Sequence, residues 1–300
     1  MRNRKRIDEF VRRLKRMKRE NTIKDLCLSE LDKLNSELSI ESVSSYLSNY
    51  RTAIKSSDVP ATTKKHALGY LKQSVKEKSL IKSKAMLAKR KRQANQKTLT
   101  ANTIKKIIGK AVEMLKSVSY VKRGVGLCIL TGRRPVEIFK TANMSEVESH
   151  LVLFSGQAKK RGTSTQSFII PTLLDAKKIT TALKGLRASK DFSKEDNYRV
   201  NRIVSKAMSS IVKKEFATLI GSDVKMYDFR SFYIEIVTQL YLENAQTSKS
   251  KTIIMNHLAG HDELETGTTQ HYEKFMIPFG ERITNDLGRY FTFNYFDIKG

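Results

Sequence analysis

The sequence predicts a mainly α-helical protein in two parts: a basic helical first domain, and a larger helical domain that holds one small antiparallel sheet. Three observations predict it. Apolar residues recur three and four positions apart along most of the chain, the period of helices buried on one side. One pair of apolar runs, LVLF (151–154) and FII (168–170), flanks a turn marked by Gly156 and Gly162, the pattern of a β-hairpin. The length, 300 residues, is about twice that of an average domain, and charge is uneven along it. Residues 1–100 carry a net +16 and residues 101–300 a net +11.

The elements follow in order. In RNRKRIDEFVRRLKRMKR (2–19), Phe10, Val11, Leu14 and Met17 sit at helical spacing among basic residues, giving an amphipathic helix with a narrow apolar face. In 40–57, Ile40, Val43, Tyr46, Leu47, Tyr50 and Ile54 share one face of another helix. Pro60 ends it, and 61–78 continues as a single further helix. These make a first domain, 1–95, with the Lys/Arg-rich stretch 88–97 as the expected linker. Thr98 or Thr100 N-caps a helix through Ile104, Ile107, Ile108, Val112 and Leu115, and another follows over 121–130. The hairpin of 150–171 puts lysines at its tip. Helical patterns resume over 172–219 and after Arg230, and RYFTFNYFDI (289–298) reads as a strand or extended arm. These complete a second domain, 96–300.

Composition narrows the function. Lys and Arg number 57 against 30 Asp and Glu, a net +27, while 39% hydrophobic residues are enough for real cores. Two cysteines, Cys27 and Cys128, are too few for a disulfide framework or a four-cysteine zinc site. No apolar run approaches the ~18 residues needed to cross a bilayer, and no apolar stretch follows the opening MRNRKRIDEF. The expectation is a cytoplasmic protein, off the membrane, facing nucleic acid. Two basic runs, 2–19 and 81–97, are read as phosphate contacts, with Lys89, Arg90, Lys91 and Arg92 as DNA-binding residues; a solvated helix face is the alternative.

Four segments offer chemistry: TGRRPVEI (131–138), GQAKKRG (156–162), YDFR (227–230) and HLAGHDELETGTTQHY (257–272). Singly each is weak. Pro135 suits the first turn of any helix, Arg230 can pair with Asp228, and His257 and His261 are spaced i, i+4 but have no evident third metal ligand. Tyr272 can be a packed aromatic; Tyr290 and Tyr295 are rival tyrosines, and His271 a rival proton carrier.

Together, in the order Arg, Lys, Arg, His, Tyr, the segments resemble the catalytic domain of the tyrosine recombinases over about 131–275. Within that superfamily, TGRRPVEI and a lysine 25 positions after Arg134 most resemble the telomere resolvases, or protelomerases. The resemblance implies a tyrosine-recombinase fold and places Arg134 and Arg230 on the two catalytic arginines, and Glu137 on the glutamate that supports the first. It places Lys159 on the hairpin lysine (Lys160 competes), His261 on the histidine after Gly260, and Tyr272 on the nucleophile. Tyr227 stands where most of the superfamily has the first histidine of an H-x-x-R box, and the gap from His261 to Tyr272 is eleven rather than the usual nine. Arg133, Lys160 and Arg161 are expected on DNA; no metal or cofactor is expected.

The residue types suit the chemistry. A phenol with a pKa near ~10 must lose its proton to attack a phosphodiester. Two guanidiniums can clamp the non-bridging oxygens with paired hydrogen bonds, which lysine cannot mimic. A lysine can protonate the leaving 5′-oxygen, and a histidine can hydrogen-bond the phosphate. The resemblance implies a homodimer on a palindromic or inverted-repeat DNA site, closing hairpin ends. The alternatives are a conventional recombinase or integrase acting as a tetramer, a type IB topoisomerase, and a non-catalytic DNA-binding protein.

Overall fold

In a computed structural model, which describes residues 2–158, 167–244, 251–260, 272 and 274–278, the apolar helix faces gather into two separate cores. The chain divides into two compact units, Met1–Arg90 and Lys91–Gly300.

The first unit is all helical. Helices α1 (Arg2–Lys15), α2 (Glu20–Glu37), α3 (Ile40–Ser56) and α4 (Ala61–Tyr70) bury Phe10, Leu14, Ile23, Leu34, Leu47, Tyr50, Ile54 and Ala67. The ring of Phe10 meets that of Tyr50 edge-on at 5.1 Å. The Tyr50 hydroxyl donates to Glu30, which also takes Arg6 Nε at 2.6 Å, so the polar end of the buried ring is satisfied. Helix α2 was not among the expected elements. Ile23, Leu26, Cys27 and Leu34 supply its buried face, but its N-cap, Arg19, offers no side-chain cap to mark the start.

The single helix expected over 61–78 is two. Helix α4 stops at Tyr70, and α5 (Val75–Ala94) starts behind a capping box: Glu77 Oε2 accepts the Ser74 N–H at 2.7 Å, and Ser74 Oγ accepts the Glu77 N–H at 3.2 Å. The expected linker is helical through Ala94 for the same reason that it looked like one. Lys, Arg, Gln and Ala are all strong helix formers, and the stretch holds no Gly or Pro. Among the described side chains of α5 none is buried; Leu80, Met86 and Leu87 are exposed.

The second unit is built around α7 (Tyr120–Thr131), in which nine residues are buried, as befits a helix enclosed on all sides. Around it pack α6 (Ala101–Leu115), α8 (Ala176–Ser189), α9 (Asn197–Ile220) and α10 (Asp228–Asn244). Thr100, rather than Thr98, caps α6 by accepting the Thr103 N–H at 3.2 Å. The hairpin strands are the second and third of a three-stranded antiparallel sheet, β2 (Asn143–Glu148), β3 (Leu151–Ser155) and β4 (Phe168–Pro171). Strand β2 was not expected because it is polar: only Met144 is buried. Residues 159–166, and with them Lys159, Lys160 and Arg161, lie outside the described residues. So do His261, His271 and the tail with Tyr290 and Tyr295. A short strand β1 (Lys97–Thr98) runs parallel to β5 (Phe275–Met276), and α11 (Lys251–Ala259) completes the unit. Among the described residues, no helix is long and apolar enough to cross a membrane.

Candidate active site

The site starts at the end of α7. Gly132 takes φ +65° and closes the helix by donating to Cys128 O at 2.9 Å. Arg134 begins the next helix: its carbonyl accepts the N–H of Glu137 at 2.9 Å and of Ile138 at 3.1 Å, with Pro135 in the first turn. Glu137 is fully buried and reaches back. Its Oε2 accepts the Arg134 backbone N–H at 2.9 Å, and its Oε1 accepts Arg134 Nη1 at 2.8 Å and the Ala158 N–H at 3.1 Å. One carboxylate thus fixes the arginine and the residue just before Lys159. The helix then widens into a π-turn, Glu137–Thr141, where Ala142 N–H donates to Glu137 O at 2.8 Å. Arg187 of α8 donates to Glu137 O at 3.1 Å and to Ile138 O at 3.3 Å.

The other segments converge here. Gln157 Nε2 donates to Gly260 O at 2.6 Å, so the residues that precede Lys159 and His261 are tied together. Gly260 has φ +65° and ends α11, as its sequence position suggested. Arg230 sits in the first turn of α10 and is buried. Its Nη1 donates to Gly132 O at 2.6 Å, its Nη2 to Ala259 O at 2.7 Å, and its Nε to Tyr272 Oη at 3.3 Å. It does not pair with Asp228. That carboxylate caps Lys225 N–H at 2.8 Å and binds Lys274 Nζ at 2.6 Å, fixing the segment after Tyr272 to the start of α10. Tyr272 is buried, and the half-exposed Tyr227 stacks on it, rings 6.2 Å apart and 23° from parallel.

One expectation changes. Arg133, expected on DNA, is 2% exposed: its guanidinium donates to Leu258 O and lies over the rings of Phe154 and Phe168 at 4.9 and 5.8 Å. Its neighbour Arg134 opens the next helix and turns to Glu137 instead. His257 is a core residue; its Nε2 is 3.4 Å from Ile169 O and its ring meets Phe168 edge-on at 5.7 Å. Arg90 and Lys91 are exposed on α5, and Lys89 and Arg92 belong to the same helix, their side chains outside the description. Among the described residues, no three His, Cys, Asp or Glu side chains form a metal-binding group. Gln157, Arg187 and the Asp228–Lys274 pair were not foreseen. Their partners are mostly backbone carbonyls, which leave no mark in a sequence.

Residues 98–275 match the family model for the telomere resolvase ResT/TelK catalytic domain. The chain belongs to the telomere resolvases. The protelomerase of Escherichia phage N15 is 29% identical over 169 residues, and that of Klebsiella oxytoca phage phiKO2 is 30% identical over the same number. Each alignment takes in 50% of this chain and 26% of the relative, so the chain matches about a quarter of their length. Among solved structures, the selenomethionine protelomerase TelA covalently complexed with substrate DNA shares the fold, with a TM-score of 0.79, 22% identity, and 91% of this chain and 88% of that one covered. Protelomerase TelK complexed with substrate DNA aligns with a TM-score of 0.59 and 19% identity, over 89% of this chain and 59% of that one.

The telomere resolvase site is rich in buried charge. Burial pushes the Tyr272 phenol up, but the charge and hydrogen bond of Arg230, a hydrogen bond from Tyr227 and the charge of Arg134 outweigh it, leaving the phenol below its ordinary value. Tyr227 moves the other way, to about 12, through burial and the neighbouring Tyr272 oxygen. Burial likewise pushes the Glu137 carboxyl up, and Arg230, Arg133 and Arg134 together bring it below its usual range. The two tyrosines of this telomere resolvase are therefore set apart, Tyr272 as the one more readily ionised.

Proposed function

We propose that the chain breaks and rejoins DNA through Tyr272 and resolves replicated telomeres into covalently closed hairpin ends. The observation that carries the reading is the Tyr272 hydroxyl on the Arg230 guanidinium at 3.3 Å, within a segment that matches the telomere resolvase catalytic model. Tyr272 Oη gives its proton to solvent and attacks the phosphorus of a scissile phosphodiester. The bond to the 5′-oxygen breaks, and a 3′-phosphotyrosyl ester remains. Arg134 and Arg230 hold the two non-bridging oxygens as charge gathers there. Lys159, next to the anchored Ala158, gives the 5′-oxygen its proton. His261, next to the anchored Gly260, hydrogen-bonds the phosphate. The 5′-hydroxyl of the opposite strand of the same end then attacks the ester, gives its proton to Lys159, and releases Tyr272, whose oxygen regains a proton from solvent. The ester conserves the energy of the broken linkage, so resealing uses no ATP.

Double-stranded DNA with a two-fold palindrome fits this reading, with one protomer and one tyrosine per strand. The first domain, 1–95, grips the duplex, and Lys89, Arg90, Lys91, Arg92, Lys160 and Arg161 contact phosphates. The basic charge of both units and the DNA complexes of TelA and TelK support it.

Covalent trapping tests the proposal. Labelled fragments of the replicon that encodes the protein are incubated with wild type and Tyr272→Phe, then denatured and resolved by electrophoresis. We expect a protein–DNA adduct with wild type alone, equal DNA binding by both, and products that snap back after denaturation. An adduct that survives Tyr272→Phe overturns the nucleophile. Products that do not snap back overturn hairpin closure in favour of strand exchange between duplexes.

A further inference from the structure

Arg133 is absorbed by none of the steps above, yet its charge lies at the junction of three segments the proposed chemistry needs. Its neighbour is Arg134. Its guanidinium lies over Phe154 and Phe168, which face each other across β3 and β4 as the last described rung below the tip that carries Lys159. Nη2 donates to Leu258 O at the end of α11, two residues before Gly260, and Nε donates to Thr131 O at 3.3 Å. His257 adds to the same joint, with its ring against Phe168 and its Nε2 near Ile169 O. Among the described residues Nη1 has no hydrogen-bond partner. An apolar side chain would fill such a place at lower desolvation cost. What only a guanidinium supplies is direction: a rigid plane that meets two ring faces and two backbone carbonyls at once.

We infer that Arg133 is a positioning residue that locks the base of the Lys159 hairpin against the end of α11, and so sets the reach of the proposed general acid toward the leaving oxygen. The inference rests on the proposed function for its catalytic consequence, but not for the joint itself. The joint depends on the fork, so lysine, which keeps the charge, does not replace it.

Two measurements on the full chain test it, with Arg133→Lys and, should that variant fail to fold, Phe168→Leu. The first is hydrogen–deuterium exchange of the backbone. We expect faster exchange in residues 151–158, 167–171 and 251–260 together, with α1–α4 unchanged. Exchange unaltered in those segments, or raised in only one of them, overturns the joint. The second is adduct formation on matched substrates with a 5′-oxygen or a 5′-bridging sulfur, which leaves without a proton. We expect Arg133→Lys to slow cleavage of the oxygen substrate by about 100-fold and of the sulfur substrate by less than about tenfold, with DNA affinity unchanged. Equal losses on both substrates, or none, overturn the link to the acid. If the wild type forms no Tyr272 adduct while the three segments still loosen together, the joint stands and the cleavage reading falls.

Discussion

Glu137 answers three guanidiniums, those of Arg230, Arg133 and Arg134, from a place with no exposed surface. Removing its charge leaves buried cations without their counter-ion. We expect Glu137→Gln to lower stability by about 3 kcal/mol at neutral pH, measured by urea unfolding. The sign with pH follows from its lowered folded pKa. The contribution is present above the ordinary value of 4.5 and is lost as pH falls through the folded value, so wild type and variant converge in acid. A gap that persists in acid would mean that lost packing, not charge, is responsible. Tyr272 gives a second handle. Its phenol should titrate below the ordinary value of 10.0, read as the ultraviolet difference between wild type and Tyr272→Phe, and Arg134→Gln should move it upward. A Tyr272 that titrates with Tyr227, near 12, would show that burial outweighs the arginines.

The turn between α7 and the Arg134 helix is the element most sensitive to a single atom. A Cβ on Gly132 would lie 2.1 Å from the Tyr233 ring and would have to adopt φ +65°. Tyr233 cannot swing aside freely, since it is buried and its hydroxyl donates to Pro171 O at 2.7 Å. Gly132→Ala should cost about 3 kcal/mol, seen as a lower midpoint in thermal unfolding. At this scale much was legible. The periodicity of Ile104, Ile107, Val112 and Leu115, a cap at Thr98 or Thr100 and the hairpin runs pointed to their elements because each depends on neighbours in sequence. Helix α2 and strand β2 escaped because one lacks a cap and the other an apolar face. Of the site, the residue types and their order were readable. The clasp of Gln157 on Gly260, the hold of Arg187 on the π-turn and the burial of Arg133 were not, because each is settled by a backbone carbonyl distant in sequence.

For the whole molecule, charge decides more than any one contact. A net +27 spread over both units favours many phosphate contacts at once. DNA affinity should then fall by about a thousandfold between roughly 50 and 200 mM salt; a flat response in a filter-binding series would remove the case for a phosphate-gripping surface. The two units are joined through α5, and just beyond that helix the chain does something that bears on Tyr272. Lys97 N–H donates to Lys274 O at 3.0 Å and Leu99 N–H to Met276 O at 2.9 Å, pairing the entry of the second unit with the strand that leaves the tyrosine. In mechanical terms the pair is a splint within the second unit: the first residues of that unit and the strand three places beyond Tyr272 are held as one piece.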